Sequence, residues 1–295
     1  MVALGNPVYD LIETPFIKTK KRVLSGCSVN ACIVLSLLRE DVTFVGCVGE
    51  DRRRELEKDL KNFEISYEIL NSLKTGGFHL IYDENGNRTL DVLGIADEIS
   101  HFPKDLLNAK YVLFGPVLSE IPLYLVDFAK KNLKAILFLD PQGFLRAIAR
   151  GKLRRVKPIF IEKLCSNFDF LKPNEHEAHV MTSLDARKNP KEVCEILYSW
   201  GSEVVIVTLA ERGSVIYDGS EFLEIPAFKT NAIDPTGAGD TYAGGFLYKY
   251  KRCKDLFEAG LFASCVASIM VENVGPYIPL TLEEVEGRVE SLRRL

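Results

Sequence analysis

The run from Ile233 to Leu247, IDPTGAGDTYAGGFL, constrains this chain more than any other stretch. Pro235 fixes its own φ and pushes Asp234 out of the α region, so Asp234-Pro235 reads as a turn. Gly237, Ala238 and Gly239 are small enough for their N–H groups to approach a ligand closely. After them Tyr242, Phe246, Leu247 and Tyr250 recur on one helix face. The run is a glycine turn feeding a helix N-terminus. Such an end has free N–H groups and a partial positive charge, and it attracts anions. Asp240 falls in the first turn, where a carboxylate can touch whatever lies against the anion. The bland alternative is an ordinary helix cap. Two other phosphate motifs are excluded: no GxxxxGK[ST] occurs, and GxGxxG fails because its third position is Tyr242.

The 295 residues, 47% of them hydrophobic, suit one large α/β domain or a domain with an inserted piece. A net charge of −4 gives no basic footprint for nucleic acid or an anionic membrane. No charge-free apolar run approaches the roughly 18 residues of a membrane span. Met1 to Pro7 lacks the basic start of a signal peptide, so a soluble cytoplasmic protein is expected. The seven cysteines (27, 32, 47, 165, 194, 253 and 265) form no CxxC, and buried reduced thiols are the expected state.

Val2 to Leu4 reads as a first strand, followed by a turn at Gly5-Asn6-Pro7 and then Asp10. Residues 11–24 alternate loosely and read as an edge strand. Ser25-Gly26 leads to Asn30 and a helix through Leu38. Val42 to Gly49 is a buried strand, and Asp51 opens a helix to about Phe63. Residues 66–96 carry β patterning, with a hairpin turn over 83–87; with 11–24 they predict a small separate sheet. From Tyr111 onward strands at 111–114, 135–139, 168–171 and 204–208 alternate with helices at 121–131, 144–149, 175–182 and 190–199. That alternation predicts a mostly parallel sheet covered on both faces, with ligands at its carboxyl ends. Polar segments sit at those ends: Asp140 to Arg146, Lys172 to Glu177, and Thr208 to Ser214. His176 and His179 stand at i and i+3, not the i and i+4 of a zinc-binding HExxH.

These segments together resemble the ribokinase/PfkB family of carbohydrate kinases. The resemblance rests on Asp234, the GAGD at 237–240 and the Gly244-Gly245 pair. It extends to Asp10, Ser25-Gly26 with Asn30, the GxVGxD-like segment at 46–51, and the NxxE formed by Asn174 and Glu177. Asp140 to Arg146 is similar to a DPNxR-like segment, with Gln142 in place of Asn, and Gln142-Gly143-Phe144 is similar to the inositol-kinase branch. Thr208 to Gly213 is similar to TxGxxG, with Ala210 replacing the first Gly.

The resemblance implies a ribokinase-like three-layer α/β/α fold with a mostly parallel central sheet and a small β lid. The core would take residues 1–10, 25–65 and 97–295, and the lid 11–24 and 66–96. It implies an ATP-dependent sugar or polyol kinase using Mg²⁺, with a monovalent-cation requirement left open. Asp240 would be the catalytic base, and the amides of Gly237, Ala238 and Gly239 the anion hole. Asp10, Gly26, Asn30, Arg88 and Gln142 would face the acceptor. Asn174, Thr208, Gly213, Asn273 and Arg146 would face the nucleotide, Arg146 either reaching a phosphate or capping a neighbouring helix. Glu177 and Asn174 would serve the metal. The partner implied is a small sugar or polyol, with no nucleic acid or membrane, and the exposed lid edge suggests a homodimer. Three alternatives remain on the same fold: a nucleoside kinase, a phosphosugar kinase using Lys18, Lys20, Lys21, Arg22 and Arg88, and a non-catalytic sugar- or nucleotide-binding regulator. The presence of Asp240 speaks against the last.

Overall fold

A computed structural model of the chain describes residues 1–83, 88–149 and 152–294. The N-terminal part runs β1 (Val2–Leu4), β2 (Val8–Glu13), β3 (Val23–Ser25), α1 (Cys27–Leu37), β4 (Thr43–Gly49), α2 (Arg53–Asn62), β5 (Ser66–Ser72), β6 (Gly77–Tyr82) and β7 (Arg88–Gly94). The middle continues with β8 (Tyr111–Phe114), α3 (Leu123–Asn132), β9 (Ile136–Leu139), β10 (Arg146–Ala149), β11 (Lys152–Arg155), α4 (Ile161–Cys165), β12 (Phe170–Leu171), α5 (Glu175–Thr182) and α6 (Pro190–Tyr198). The last part holds β13 (Val204–Thr208), β14 (Ser214–Tyr217), β15 (Phe222–Ile225), α7 (Ala238–Cys253), α8 (Leu256–Val271) and α9 (Leu282–Arg293).

Among the described residues, nine strands form the central sheet in the order β15-β14-β13-β12-β9-β8-β1-β4-β5. Pairing is parallel from β13 to β5 and antiparallel only where β14 and β15 complete one edge. Its strands are apolar on both faces, as parallel strands under two helix layers must be. Leu113, Phe138 and Ile206 pack with α1, α7, α8 and α9 on one face. Val112, Leu137 and Val205 pack with α3 to α6 on the other. The result is the three-layer α/β/α arrangement implied by the sequence. No helix among the described residues is long and apolar enough to cross a membrane. The six-stranded second sheet runs β10-β11-β7-β6-β2-β3 and shields a small apolar cluster of Val8, Ile12, Phe78, Leu80, Tyr82 and Val117.

Three local expectations are corrected. Residues 144–149 do not form a helix: β10 pairs antiparallel with β11, which joins β7 through Lys152 and Asp91. Helix-forming Leu, Arg and Ala are overruled there by a free sheet edge, since tertiary pairing outweighs propensity. Residues 66–72 do not belong to the second sheet; β5 follows α2 as a parallel crossover onto β4 over seven residue pairs. The strand expected over 11–24 starts earlier, at Val8, so Asp10 lies inside β2, between β6 and the edge strand β3. The expected hairpin turn falls on residues 84–87, outside the described residues. All seven cysteines are free thiols, six of them buried.

Helix α7 is anchored to the sheet by Phe246, which is fully buried. Ring centroids of Phe138, Phe170, Tyr242 and Tyr250 lie 5.6–6.4 Å from its own. Phe246→Ala is expected to cost about 3–5 kcal/mol, because rings on several sides cannot collapse into the hole. An unfolding free energy from chemical denaturation within about 1 kcal/mol of wild type would contradict this.

Candidate functional site

A cavity of about 130 Å³ opens at the carboxyl edge of the central sheet, beneath the second sheet. The N-cap residues of three helices line it: Gly26 of α1, Asn174 of α5 and Gly237 of α7. Three partial positive charges therefore converge on one space. The charged wall residues are two cations, Arg146 and Lys172, and four carboxylates, Asp10, Asp140, Glu177 and Asp240, with the Cys27 thiol beside them.

The glycine turn has the shape that its sequence predicts. Gly237 adopts φ +79°, and a Cβ there would lie 2.8 Å from Asn30 Nδ2. Only glycine satisfies both demands. Asp234 is buried, and its Oδ1 accepts the Thr236 amide at 2.9 Å, closing the turn. The Ala238 amide makes a long bond, 3.3 Å, to the Pro235 carbonyl. Tyr82 from β6 shares a 2.9 Å hydrogen bond with Thr236, tying the second sheet to the turn.

Asp240 follows in the first turn of α7, and its Oδ2 accepts from Asn30 Nδ2 at 2.9 Å. The two residues come from helices that touch closely. A Cβ on Gly244 would sit 2.9 Å from the Ala31 carbonyl oxygen and 3.1 Å from Ala31 Cα. Absence of a side chain at 244 thus sets how near α7 lies to α1, and with it the reach of Asn30 to Asp240.

Asp10 and Asp140 enter from strand positions. Asp10 is buried in β2, and its Oδ1 accepts the Phe78 amide of β6 at 2.7 Å. Asp140 follows β9 and Lys172 follows β12; both are buried, and Nζ lies 2.8 Å from Asp140 Oδ2. Burial alone would push the Lys172 ammonium down, but Asp140 and Glu177 more than reverse this and its pKa is raised. Burial pushes the Cys27 thiol well up, and the negative charges of Asp140 and Asp240 add to it.

Gln142 and Arg146 act as a unit. Arg146 donates to Gln142 Oε1 at 2.6 Å and to the Val117 carbonyl at 2.9 Å. Its guanidinium carbon lies 5.8 Å from the Phe78 ring centroid. Asn174 and Glu177 form a capping box on α5: Asn174 Oδ1 accepts the His176 and Glu177 amides, and Glu177 Oε2 accepts the Asn174 amide.

Thr208, Gly213 and Asn273 lie outside the cavity lining. Thr208 ends β13 and bridges to Asn174, Gly213 closes the turn into β14 at φ +84°, and Asn273 bonds the Ile269 carbonyl at the end of α8. Ala210, where the family pattern has glycine, is held at φ +50°. Arg88 begins β7, and its side chain lies outside the described residues. Sequence reasoning gave no role to Lys172, Asp140 or Cys27; their place directly after strands or at a helix start was the available signal. The Asp140, Asp240 and Cys27 ligand atoms lie within 4.8 Å of one another. The two carboxylates fit Mg²⁺, a hard ion that takes few protein oxygens and keeps its waters, whereas the thiol does not suit it.

The pattern of the pfkB family carbohydrate kinases matches residues 17–282. The chain is similar to the nucleoside kinase of Methanothermobacter thermautotrophicus, 37% identical over 97% of this chain and 94% of that protein. It is 28% identical to the ribokinase of Staphylococcus aureus over 91% of this chain and 88% of that one. Among solved structures it resembles a pyrophosphate-dependent kinase in the ribokinase family complexed with a pyrophosphate analog and myo-inositol. That likeness has a TM-score of 0.82 at 24% identity and covers 97% of this chain and 100% of that one.

Two outcomes follow from this geometry. Gly244→Ala should raise helix propensity by about 1 kcal/mol yet destabilise the protein by about 1–3 kcal/mol through overpacking against Ala31. Thermal and chemical denaturation will show the sign, and a stabilised variant would contradict the close-contact reading. The second concerns pH. Burial raises the Glu177 carboxyl to about 7, with Asp140 adding to the rise and Lys172 and the Asn174 amide opposing it. The folded chain thus holds this proton where the unfolded chain has released it. The contribution is full below the ordinary value of 4.5 and is lost as pH rises toward about 7. Denaturation midpoints should therefore fall over that window, and fall less in Glu177→Gln, which keeps the capping oxygen. An equal fall in both proteins would assign the effect elsewhere.

Proposed function

The chain belongs to the pfkB family of carbohydrate kinases, and from that premise we propose that it transfers the terminal phosphoryl group of ATP, with Mg²⁺, to a hydroxyl of a small sugar or polyol. Family members are phosphotransferases with a hydroxyl acceptor. One observation carries the specific reading: Asp240 sits in the first turn of α7, oriented by Asn30, where the glycine turn and the cavity meet. A base so held needs no search for the acceptor proton.

In this reading Asp240 accepts the proton of the attacking hydroxyl. The first-turn amides of α7 and the α1 and α5 N-termini stabilise negative charge on the group in flight. Asp10 and Gln142 hold acceptor hydroxyls, and Asn30 fixes Asp240. Asn174 and Glu177, with Asp140 beside them, would hold Mg²⁺, which when bound neutralises donor phosphate charge. Thr208, Gly213 and Asn273 would border the nucleoside part of the donor, outside the cavity itself. The second sheet acts as a lid that excludes water, which would otherwise compete for the phosphoryl group. A helix N-terminus keeps Asp240 weakly basic. In a loose transition state the proton leaves late, so orientation counts for more than basicity.

A nucleoside acceptor is the second reading, favoured by the 37% identity to a protein named nucleoside kinase. A transfer assay with Mg·ATP separates them, using myo-inositol, ribose, fructose, fructose 6-phosphate, adenosine and cytidine. Wild type should turn over one acceptor class, and Asp240→Asn should lose about 10²–10⁴-fold in kcat on it. Turnover that survives Asp240→Asn would remove Asp240 from the mechanism. ATP binding with no turnover of any acceptor would favour a regulator on this fold.

A further inference from the structure

The cavity contains a cation that the proposed reaction has not yet used. Lys172 is 1% exposed, directly follows β12, and lines the cavity. Its ammonium is 2.8 Å from Asp140 Oδ2 on one side. On another side it faces the glycine turn: a Cβ built on Gly239 would lie 3.4 Å from Nζ. The ammonium therefore stands beside the first turn of α7, whose N–H groups have no partners within the helix. An ammonium has three donors, and Asp140 engages one of them.

Burying a lysine is costly, and simple neutralisation of Asp140 does not require that it reach the glycine turn. Arg146, the other cation of the cavity wall, is committed to Gln142 and the Val117 carbonyl. Position and donor capacity single out Lys172.

We propose that Lys172 is a further catalytic residue, whose ammonium binds the transferring phosphoryl group together with the first-turn amides of α7. Charge growing on the phosphoryl oxygens is then met from two directions: by N–H dipoles along the α7 axis and by a full positive charge from the side. Asp140 keeps the ammonium charged and aimed before the donor arrives. The inference rests on the kinase reading, but it can be tested apart from it, because an anion site beside Lys172 also binds inorganic phosphates.

The full-length wild type, Lys172→Met, and the doubly substituted Lys172→Met/Asp140→Asn are titrated calorimetrically with inorganic tripolyphosphate, without acceptor or nucleotide. Both variants should bind it at least tenfold more weakly, the worth of one charge-assisted contact. The double variant removes the ion pair without leaving a buried carboxylate unpaired, so it covers the case in which Lys172→Met alone fails to fold. With an acceptor from the transfer assay, Lys172→Met should also lose about 10²–10³-fold in kcat. Acceptor KM should stay within threefold, and the gain in ADP affinity on adding aluminium fluoride should disappear. A purely structural lysine would not affect that gain selectively. Equal tripolyphosphate affinity in wild type and the double variant overturns the inference, whatever the acceptor assay returns. A wild type that turns over nothing, yet binds tripolyphosphate through Lys172, removes the kinase reading and leaves the anion contact standing.

Discussion

The closeness of α7 to α1 is the constraint on which the site depends. Neither helix is an amphipathic surface element; α1 is buried from Cys27 to Leu35, and α7 from Thr241 to Tyr248. Gly244 lets the two helices approach until the Ala31 carbonyl and Cα and the Val34 Cβ fill the gap. Gly245 makes room for the Val266 side chain and the Ala263 Cα of α8. Both helix starts then face one space, and Asn30 meets Asp240 at hydrogen-bond distance. The chemistry is thus positioned by backbone contact several residues away, which is stiffer than any side-chain scaffold.

That rigidity has an electrostatic consequence. Four carboxylates and two cations share one wall, an excess of negative charge in a place proposed to receive phosphate. Several features offset it. Three helix N-termini point inward. Asp10 is tied to a backbone amide, and Asp140 to Lys172. Glu177 is held toward its protonated form by burial and the nearby Asp140. Burial of Asp10, Asp140, Lys172 and Glu177 strengthens every one of these interactions, favourable or not, so the balance among them matters more than any single pair.

The sequence made the centre legible and the margins less so. The turn at 234–239 was readable because its conformation leaves few residue choices; φ +79° at 237 admits little but glycine. The central strands were readable because burial on both faces leaves continuous apolar runs. The helix read at 144–149 failed because Leu, Arg and Ala favour helices locally, while an open sheet edge lay close in space but far in sequence. The reach of β5 failed for the same reason: β patterning identifies a strand, not its sheet. Ala210 shows the limit of motif matching. The position departs from the family's glycine, yet its backbone keeps the left-handed conformation that glycine serves, at a cost of about 1–2 kcal/mol. Lys172 carries no motif in the sequence, a lysine before a proline; only its burial makes it conspicuous.

Asn174 and Glu177 show why a structural role and a functional one can coexist. Asn174 Oδ1 takes two amides, which uses both its lone pairs, and Glu177 Oε2 takes a third. The atoms that keep full bonding capacity are Asn174 Nδ2 and Glu177 Oε1. Any contact these residues make with a donor phosphate or a hydrated metal must therefore run chiefly through those two atoms. Nδ2 suits a phosphate oxygen, as a donor, and Oε1, once the carboxyl is ionised, suits a metal-bound water, as an acceptor. The capping box is then the means by which the start of α5 is fixed toward the cavity, with one donor and one acceptor left for what enters it.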